Sequence, residues 1–545
     1  MIKTNQVLQK LETELTGGIN RSYSEFKEYQ NRMIERITSK AQKTPVYKDK
    51  IIKVIDNIED IDTLPLISYD DITSAINAYG LENCLLKPYK VKVQTAGSTG
   101  IPKKFYYGTE DLEKFALIGG RCGYLLGLKK GDVGWGLTAP SPYISGILIH
   151  LGAYKIGLDL INTPITSANQ LVVALKKVSK VDKYFKGIYG FPSILLTIAQ
   201  ISNNPQVFEE RVKEKMKEKL GLVKLLTKAA SSLYLRGINY EKIKNIITNV
   251  EIVLSGGESL EPYKEKLKSF YPNAGFFDVY GSSELGIGMA QLLENGYLNP
   301  MLDWFIPEIA KPEEIRKAKK DHEYILKAIP WWEWYKGLRG ELIVTRDGDC
   351  LPLIRYPTGD LVEVVDPRKN IILNLGCGKF QTILPEVKIL GRSIEILPPE
   401  ISEDEMLIYS VARVYPSEIK VELNRIPSIK VKHYDLYIYK PNKSRVFPKW
   451  KIEVIPEERV INKEKLEQEI KRILVKKTEI HETQEPLSLG YSKEFVENLF
   501  EVKILEPEAY KKVELEMEKR ISEGKPLGQI KPSHVHFVNE EINEQ

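Results

Sequence analysis

From about residue 130 to 300 the chain alternates short apolar runs with helical segments. The runs are VGWGLTAP, LDLINTP, GIYGFPS, VEIVLSGGE and FFDVYGSSE, and each closes on a stretch containing Gly, Ser or Pro. Between them lie amphipathic stretches such as EPYKEKLKSF, where Tyr263, Leu267 and Phe270 share one helical face. Strand–helix alternation on this scale builds layered α/β sheets, and such sheets bind ligands beyond the C-terminal ends of their strands. Five strand ends rich in glycine and hydroxyls are therefore five places to look for a site.

The flanks add three further regions. Phe26, Tyr29, Met33 and Ile37 recur at helical spacing, so residues 1 to about 60 read as amphipathic helices. LPLISYDDI (64–72) then supplies a turn with Asp70 or Asp71 available as a helix cap, and Thr109 is a plausible cap for TEDLEKFALIGG. Residues 308–338 read as an exposed charged helix ending in an aromatic patch of Trp331, Trp332 and Trp334. That patch either packs beneath the helix or offers a surface for a homodimer. ELIVTRDGDCLPLIRYPTGDLVEVVD reads as a β meander, and KILGRSIEIL (388–397) closes that part. Beyond it, VKHYDLYIYK, KWKIEVIP and NKEKLEQEIKRILVKK supply a strand pair and a helix. At 545 residues the chain is long enough for two domains. We place the boundary near Gly391, giving 1–390 and 391–545.

Charge and cysteines exclude several classes. The 79 basic and 74 acidic residues leave a net charge of +5, too mixed for a dedicated nucleic-acid binder. No apolar run reaches the roughly 18 residues of a membrane span, and MIKTNQVLQKLETEL lacks the apolar core of a signal peptide. Cys84, Cys122, Cys350 and Cys377 form no CxxC pair, so neither a zinc site nor a disulfide framework is signalled. A cytoplasmic setting is expected.

VQTAGSTGIPKK (93–104) has the composition of a phosphate-holding loop, with hydroxyls, glycines and lysines between two strand-like runs. It is not a P-loop, which needs GxxxxGK[ST] opening onto a helix, and Pro102 interrupts the spacing. Further motifs follow in order: SGGES (255–259), VYGSSELG (279–286), RYPTGDLVEV (355–364), LGR (390–392), and a lysine in SEGKPLGQIKP (522–532).

Together these motifs resemble the adenylate-forming superfamily of acyl-CoA synthetases, and within it most nearly the phenylacetate–CoA ligase family. YQNRMIERITSKAQKTPVYKDKI, LPLIRYPTGDL, CGK, ILGR and MLIYSVARVYPSEIKVEL (406–423) extend the likeness almost end to end. The resemblance implies a large N-terminal α/β domain with layered sheets and a small, mobile α+β C-terminal domain after a hinge near Gly391. It implies ATP and Mg2+ as cofactors, a small-molecule carboxylate as substrate and CoA as acceptor. By resemblance, Thr95, Ser98, Thr99, Gly100 and Lys103 hold the triphosphate. Glu284 binds magnesium. Gly256, Gly257 and Glu258 line the adenine pocket with Tyr280, Gly281, Ser282 and Ser283. Asp360 accepts from the ribose hydroxyls, and Arg392 reaches ribose or phosphate. A C-terminal lysine, Lys525 or else Lys531, stabilises charge as the carboxylate attacks phosphorus. Tyr143 and Phe191 are candidate acyl-pocket walls, in uncharged stretches that suit an aryl or fatty group.

The sequence departs from that family at three places. Ser393 follows Arg392 and IEILPPEISEDE intervenes before MLI, so the hinge acid falls on Asp404 or Glu405, if on either. The charged, Trp-rich segment is longer than usual, and Cys377 has no cysteine neighbour for zinc. Two other readings stay open: the same first step with an amine, carrier protein or cofactor as acceptor, and a non-catalytic nucleotide-binding homologue.

Overall fold

The structure is a computed structural model. It describes residues 2–48, 50, 54–95, 102–165, 167–220, 231–321, 323–375, 378–396, 415–440, 448–476, 497–522 and 534–538. Ser98, Thr99, Gly100, Cys377, Asp404, Glu405, Lys525 and Lys531 lie outside these residues.

The α/β alternation and the β meander, distinct in the sequence, form one twelve-stranded sheet. Its first half is parallel. Asp159–Asn162, Val133–Leu137, Phe185–Gly190, Ile252–Gly256 and Gly275–Ser282 lie side by side in that order. Gly275–Ser282 then turns back antiparallel onto Gly286–Gln291, and the rest of the sheet continues antiparallel. The join is the YGSSE turn. The turn lies at the C-terminal end of the last parallel strand, and α/β sheets bind ligands beyond the carboxyl ends of their parallel strands.

Two helices, Thr109–Leu125 and Ile144–Ile156, pack on the parallel half. Gly119 and Gly152 meet at the crossing, where a Cβ on Gly152 would stand 2.7 Å from the Gly119 carbonyl carbon. Such close backbone approach leaves no room for side chains at the contact. The first helix starts one residue before expectation: Gly108 is the cap, and its N–H donates to the Asp111 carboxylate at 3.0 Å. Thr109 thus lies inside the helix. The helix Tyr69–Tyr79 is capped by Ser68, whose N–H donates to Asp71 at 2.8 Å in a reciprocal capping box.

The N-terminal helix Tyr23–Ala41 buries Phe26, Met33 and Ile37 as its spacing required. It packs on Trp331, whose indole N–H donates to Gln30 at 2.7 Å. Trp331 and Trp334 are buried, so most of the expected aromatic patch is core and not a surface for a second copy. Helix Pro312–Lys320 likewise buries Ile315 and Ala318.

A second sheet of four strands, in the order Phe500–Ile504, Lys449–Pro456, Val431–Tyr439 and Val535–Val538, forms the smaller C-terminal unit with helices Pro416–Arg425 and Lys463–Lys476. Trp450, Leu436 and Ile470 centre its core. It touches the large unit where Lys420 donates to the Tyr263 hydroxyl at 3.0 Å and Asn424 to the Pro262 carbonyl at 2.9 Å. Among the described residues, no helix is long and apolar enough to cross a membrane.

Candidate active site

The strands on either side of the phosphate-loop candidate, Val91–Gln94 and Lys104–Tyr107, pair antiparallel. Thr95 extends this pairing: its N–H donates to the Lys103 carbonyl, and its hydroxyl accepts from the Lys103 N–H, both at 2.9 Å. The Lys103 ammonium lies 3.4 Å from the Tyr356 hydroxyl and above the Tyr69 ring. Burial lowers its pKa, against the pull of Glu284.

Glu284 sits in the turn between the two strands at the change of direction. Burial raises its pKa, and the positive fields of Lys103 and Arg392 oppose this. Among the described residues its carboxylate forms no direct ion pair with either. The turn is anchored from behind: Arg346 donates to the Glu284 carbonyl at 2.8 Å, and the Tyr107 hydroxyl donates to the Ser283 carbonyl. The buried Ser282 hydroxyl has no hydrogen-bond partner among the described residues. A buried polar atom without a partner normally signals a missing ligand or water.

Three residues from three distant stretches converge beside this turn. The Tyr280 hydroxyl donates to Asp360 Oδ2 at 2.8 Å, and Arg392 Nη1 donates to Asp360 Oδ1 at 2.6 Å. Asp360 raises the Arg392 pKa further, so the guanidinium is permanently charged. Glu341, which no sequence motif singled out, organises the group. It accepts from the Gly359 N–H at 2.9 Å and from the Ser393 hydroxyl. No local signal marks it, since it is one of three charged residues in the strand Arg339–Arg346.

Gly256, Gly257 and Glu258 lie at the end of the neighbouring strand. Gly257 has φ +80°, and a Cβ there would stand 2.3 Å from the Phe191 ring. Only glycine fits both demands. Glu258 accepts from the Ser193 hydroxyl at 2.8 Å. Thus Lys103, Glu284, Tyr280, Gly281, Ser282, Ser283, Asp360 and Arg392 are gathered around the switch in strand direction, with Gly256–Glu258 on the adjoining strand. Phe191 is core beside Gly257, and Tyr143 is half-buried. An apolar cavity of about 70 Å³ instead draws on their neighbours Leu148, Ile149 and Tyr189, together with Leu254, Val279 and Ile287.

Asp278, two residues before Tyr280, is a half-buried acid that the sequence motifs did not mark. It accepts from the Ser255 hydroxyl and the Leu260 N–H at 3.1 Å each and from the Val279 N–H at 3.0 Å. Burial nonetheless pushes its pKa up to about 7 from an ordinary 3.8. Folding therefore takes up a proton between about pH 4 and 7, and stability falls as pH rises through that window and levels off above it. Unfolding free energies from denaturant curves at about pH 5 and pH 8 are expected to differ by on the order of a few kcal/mol from this group alone. Asp278→Asn should flatten that difference; an unchanged slope would place the titration elsewhere.

No family model matches the sequence, and no curated protein matches it. Solved structures do. One is 2-hydroxyisobutyryl-CoA ligase in the postadenylation state with R3-HIB-AMP, at 14% identity, TM-score 0.62, over 96% of this chain and 91% of that one. Another is an open conformation of that ligase with 2-HIB-AMP and CoA, at 15% identity, TM-score 0.57, over 90% of each chain. A third is its thioesterification state, at 15% identity, TM-score 0.51, over 96% and 92%. The chain has the adenylate-forming ligase fold, with a large α/β unit and a smaller C-terminal domain.

Proposed function

We propose that this protein is an ATP-dependent acid–thiol ligase of the phenylacetate–CoA ligase kind. It converts a carboxylate and ATP to an acyl-adenylate and pyrophosphate, then passes the acyl group to CoA. The observation that carries this reading is the convergence of Tyr280, Asp360 and Arg392 beside Glu284 and Lys103, at the reversal of strand direction in this fold. The similar ligase is described with acyl-AMP and CoA bound, which favours CoA as acceptor here.

A carboxylate is a poor acylating agent because oxide leaves badly; AMP is a better leaving group. The protein must hold ATP, offset its charge and bring the carboxylate in line with the α-phosphorus. In this reading Asp360 receives the ribose hydroxyls, and Tyr280 presents its ring to adenine beside Gly256, Gly257 and Glu258. Arg392 and Lys103 face the phosphates, with Thr95, Ser98, Thr99 and Gly100 as the loop. The donor set fits such a ligand. The unpartnered Ser282 hydroxyl can donate to phosphate, and the carboxylate of Glu284 is a hard oxygen ligand. Magnesium held there would offset phosphate charge. Lys525 stabilises the charge that develops at phosphorus, and Lys531 is the alternative. At about 70 Å³ the apolar cavity beside Tyr189 is well below the roughly 300–1,000 Å³ of an ordinary ligand pocket and has room for a small apolar group only. Gly391, at φ +130°, is the proposed pivot between 1–390 and 391–545.

The test is acid-dependent pyrophosphate release from ATP and Mg2+ across aryl and fatty acids, followed by CoA consumption. Release with one class of acid, and CoA consumed with the same acid, is the expected result. Release without CoA consumption would point to an amine, carrier protein or cofactor as acceptor. No release with any acid, with ATP still bound, would mark a non-catalytic homologue.

A further inference from the structure

The chain has six histidines, and three of them gather on one face of the small sheet. His433 and Asp435 alternate on strand Val431–Tyr439, and His534 and His536 border the neighbouring edge strand Val535–Val538. The two strands run parallel, with Tyr437 opposite His536. Tyr434, Leu436 and Ile438 fill the core on the other face. Register and pleat bring His433, Asp435 and His536 together, and His534, just before the edge strand, stacks on Tyr434 with its ring 4.8 Å from that of His433.

Their contacts are those of a ligand set. Nε2 of His433 lies 3.3 Å from Asp435 Oδ1, and Nε2 of His536 lies 3.0 Å from the same oxygen. His534 places Nδ1 2.9 Å from the Tyr434 carbonyl. A carbonyl only accepts, so Nδ1 carries the proton and Nε2 keeps its lone pair. This is how outer-shell hydrogen bonds orient ligating histidines. The ligating atoms of His433, Asp435 and His534 all lie within 4.8 Å of one another. Zinc bonds of ~2.0–2.1 Å place tetrahedral ligands ~3.4 Å apart, a closure of at most about 1.4 Å that side-chain rotation can supply. His433 is itself buried, and the Tyr510 ring packs against it.

We propose that His433, Asp435 and His534, with His536 beside them, bind one zinc-class divalent ion that fastens the edge strand Val535–Val538 to the small sheet. Imidazole nitrogens with one carboxylate select zinc, cobalt, nickel or copper over magnesium or calcium. An edge strand of four residues has little pairing of its own, so a metal clasp has a clear structural task. Lys525 and Lys531 shortly precede His534 in sequence, so the clasp also fixes one end of the segment that carries them. The metal site does not depend on the ligase reading.

The test uses the full chain, stripped with a chelator and titrated with Co2+ and with Zn2+ against a chromophoric competitor. One ion per chain is expected, with visible Co2+ absorption of tetrahedral type and slower amide exchange over 534–538 in the metal-bound form. His534→Ala should weaken Zn2+ binding by more than about 100-fold, the upper end of what losing an outer-shell partner costs. Asp435→Asn, which keeps the side-chain shape, should do the same with circular dichroism unchanged. His150→Ala, on a distant helix, should change nothing. Absence of stoichiometric binding, or equal binding by Asp435→Asn, would leave a hydrogen-bonded histidine cluster only and overturn the proposal.

Discussion

Asp360→Ala is expected to lower acid-dependent pyrophosphate release by about 100-fold or more while leaving the chain folded. Asp360 is the one acceptor shared by the Tyr280 hydroxyl and Arg392. Without it, the tyrosine ring and the guanidinium lose the group that fixes their mutual position, and in the proposed function the two ribose hydroxyls lose their acceptor. The loss should fall mainly on the apparent affinity for ATP, because these contacts exist before the transition state as well as in it. Stability should fall by only about 1–2 kcal/mol, since the Arg392 side chain is 43% exposed and water can replace its partner. Asp360→Asn retains one acceptor oxygen and should give an intermediate loss. Initial rates against ATP concentration, with a denaturation curve for each variant, decide the matter. An ATP dependence unchanged in Asp360→Ala would remove Asp360 from nucleotide binding.

The residues gathered around that acid were legible because each lies in a short local motif. Gly, Ser and Thr at strand ends mark turns whatever the tertiary structure, and a lysine after such a turn marks charge. The single sheet was less legible. It depends on the strand Leu298–Pro300 pairing with Val387, a contact across almost ninety positions that no local pattern encodes. The sequence left the tryptophans between packing and a surface for a related reason. Helical periodicity shows that a segment has an apolar face, but only the fold shows that Trp331 meets Phe26 and Gln30. The histidine cluster left only HxD and HxH in the sequence, a hundred positions apart. Glu341 gave no warning because its partners, the Gly359 N–H and Ser393, are fixed by strand register alone.

Register also explains why Glu308→Ala is expected to destabilise the fold severely, by about 3–5 kcal/mol. Arg355 is wholly buried and has φ +42°, a backbone state costly for any residue but glycine. It is held there because every side of its guanidinium is engaged. Nη2 and Nε donate to Glu308 at 2.9 and 3.1 Å, Nη1 to the carbonyls of Asp62 and Leu64, and Nη2 also to Leu326. One side chain thus ties the N-terminal region and the segment after helix Pro312–Lys320 to the central sheet. Removing Glu308 leaves the cation buried with carbonyls alone, none of which cancels its charge. Glu308→Gln keeps the acceptor oxygen but not the charge, and about half the loss is expected. A double-mutant cycle with Arg355→Ala should show a coupling of more than about 1 kcal/mol, because the second change removes the stranded charge and the strained backbone's reason to persist. Strictly additive losses would mean that the pair is incidental to the stability of this region.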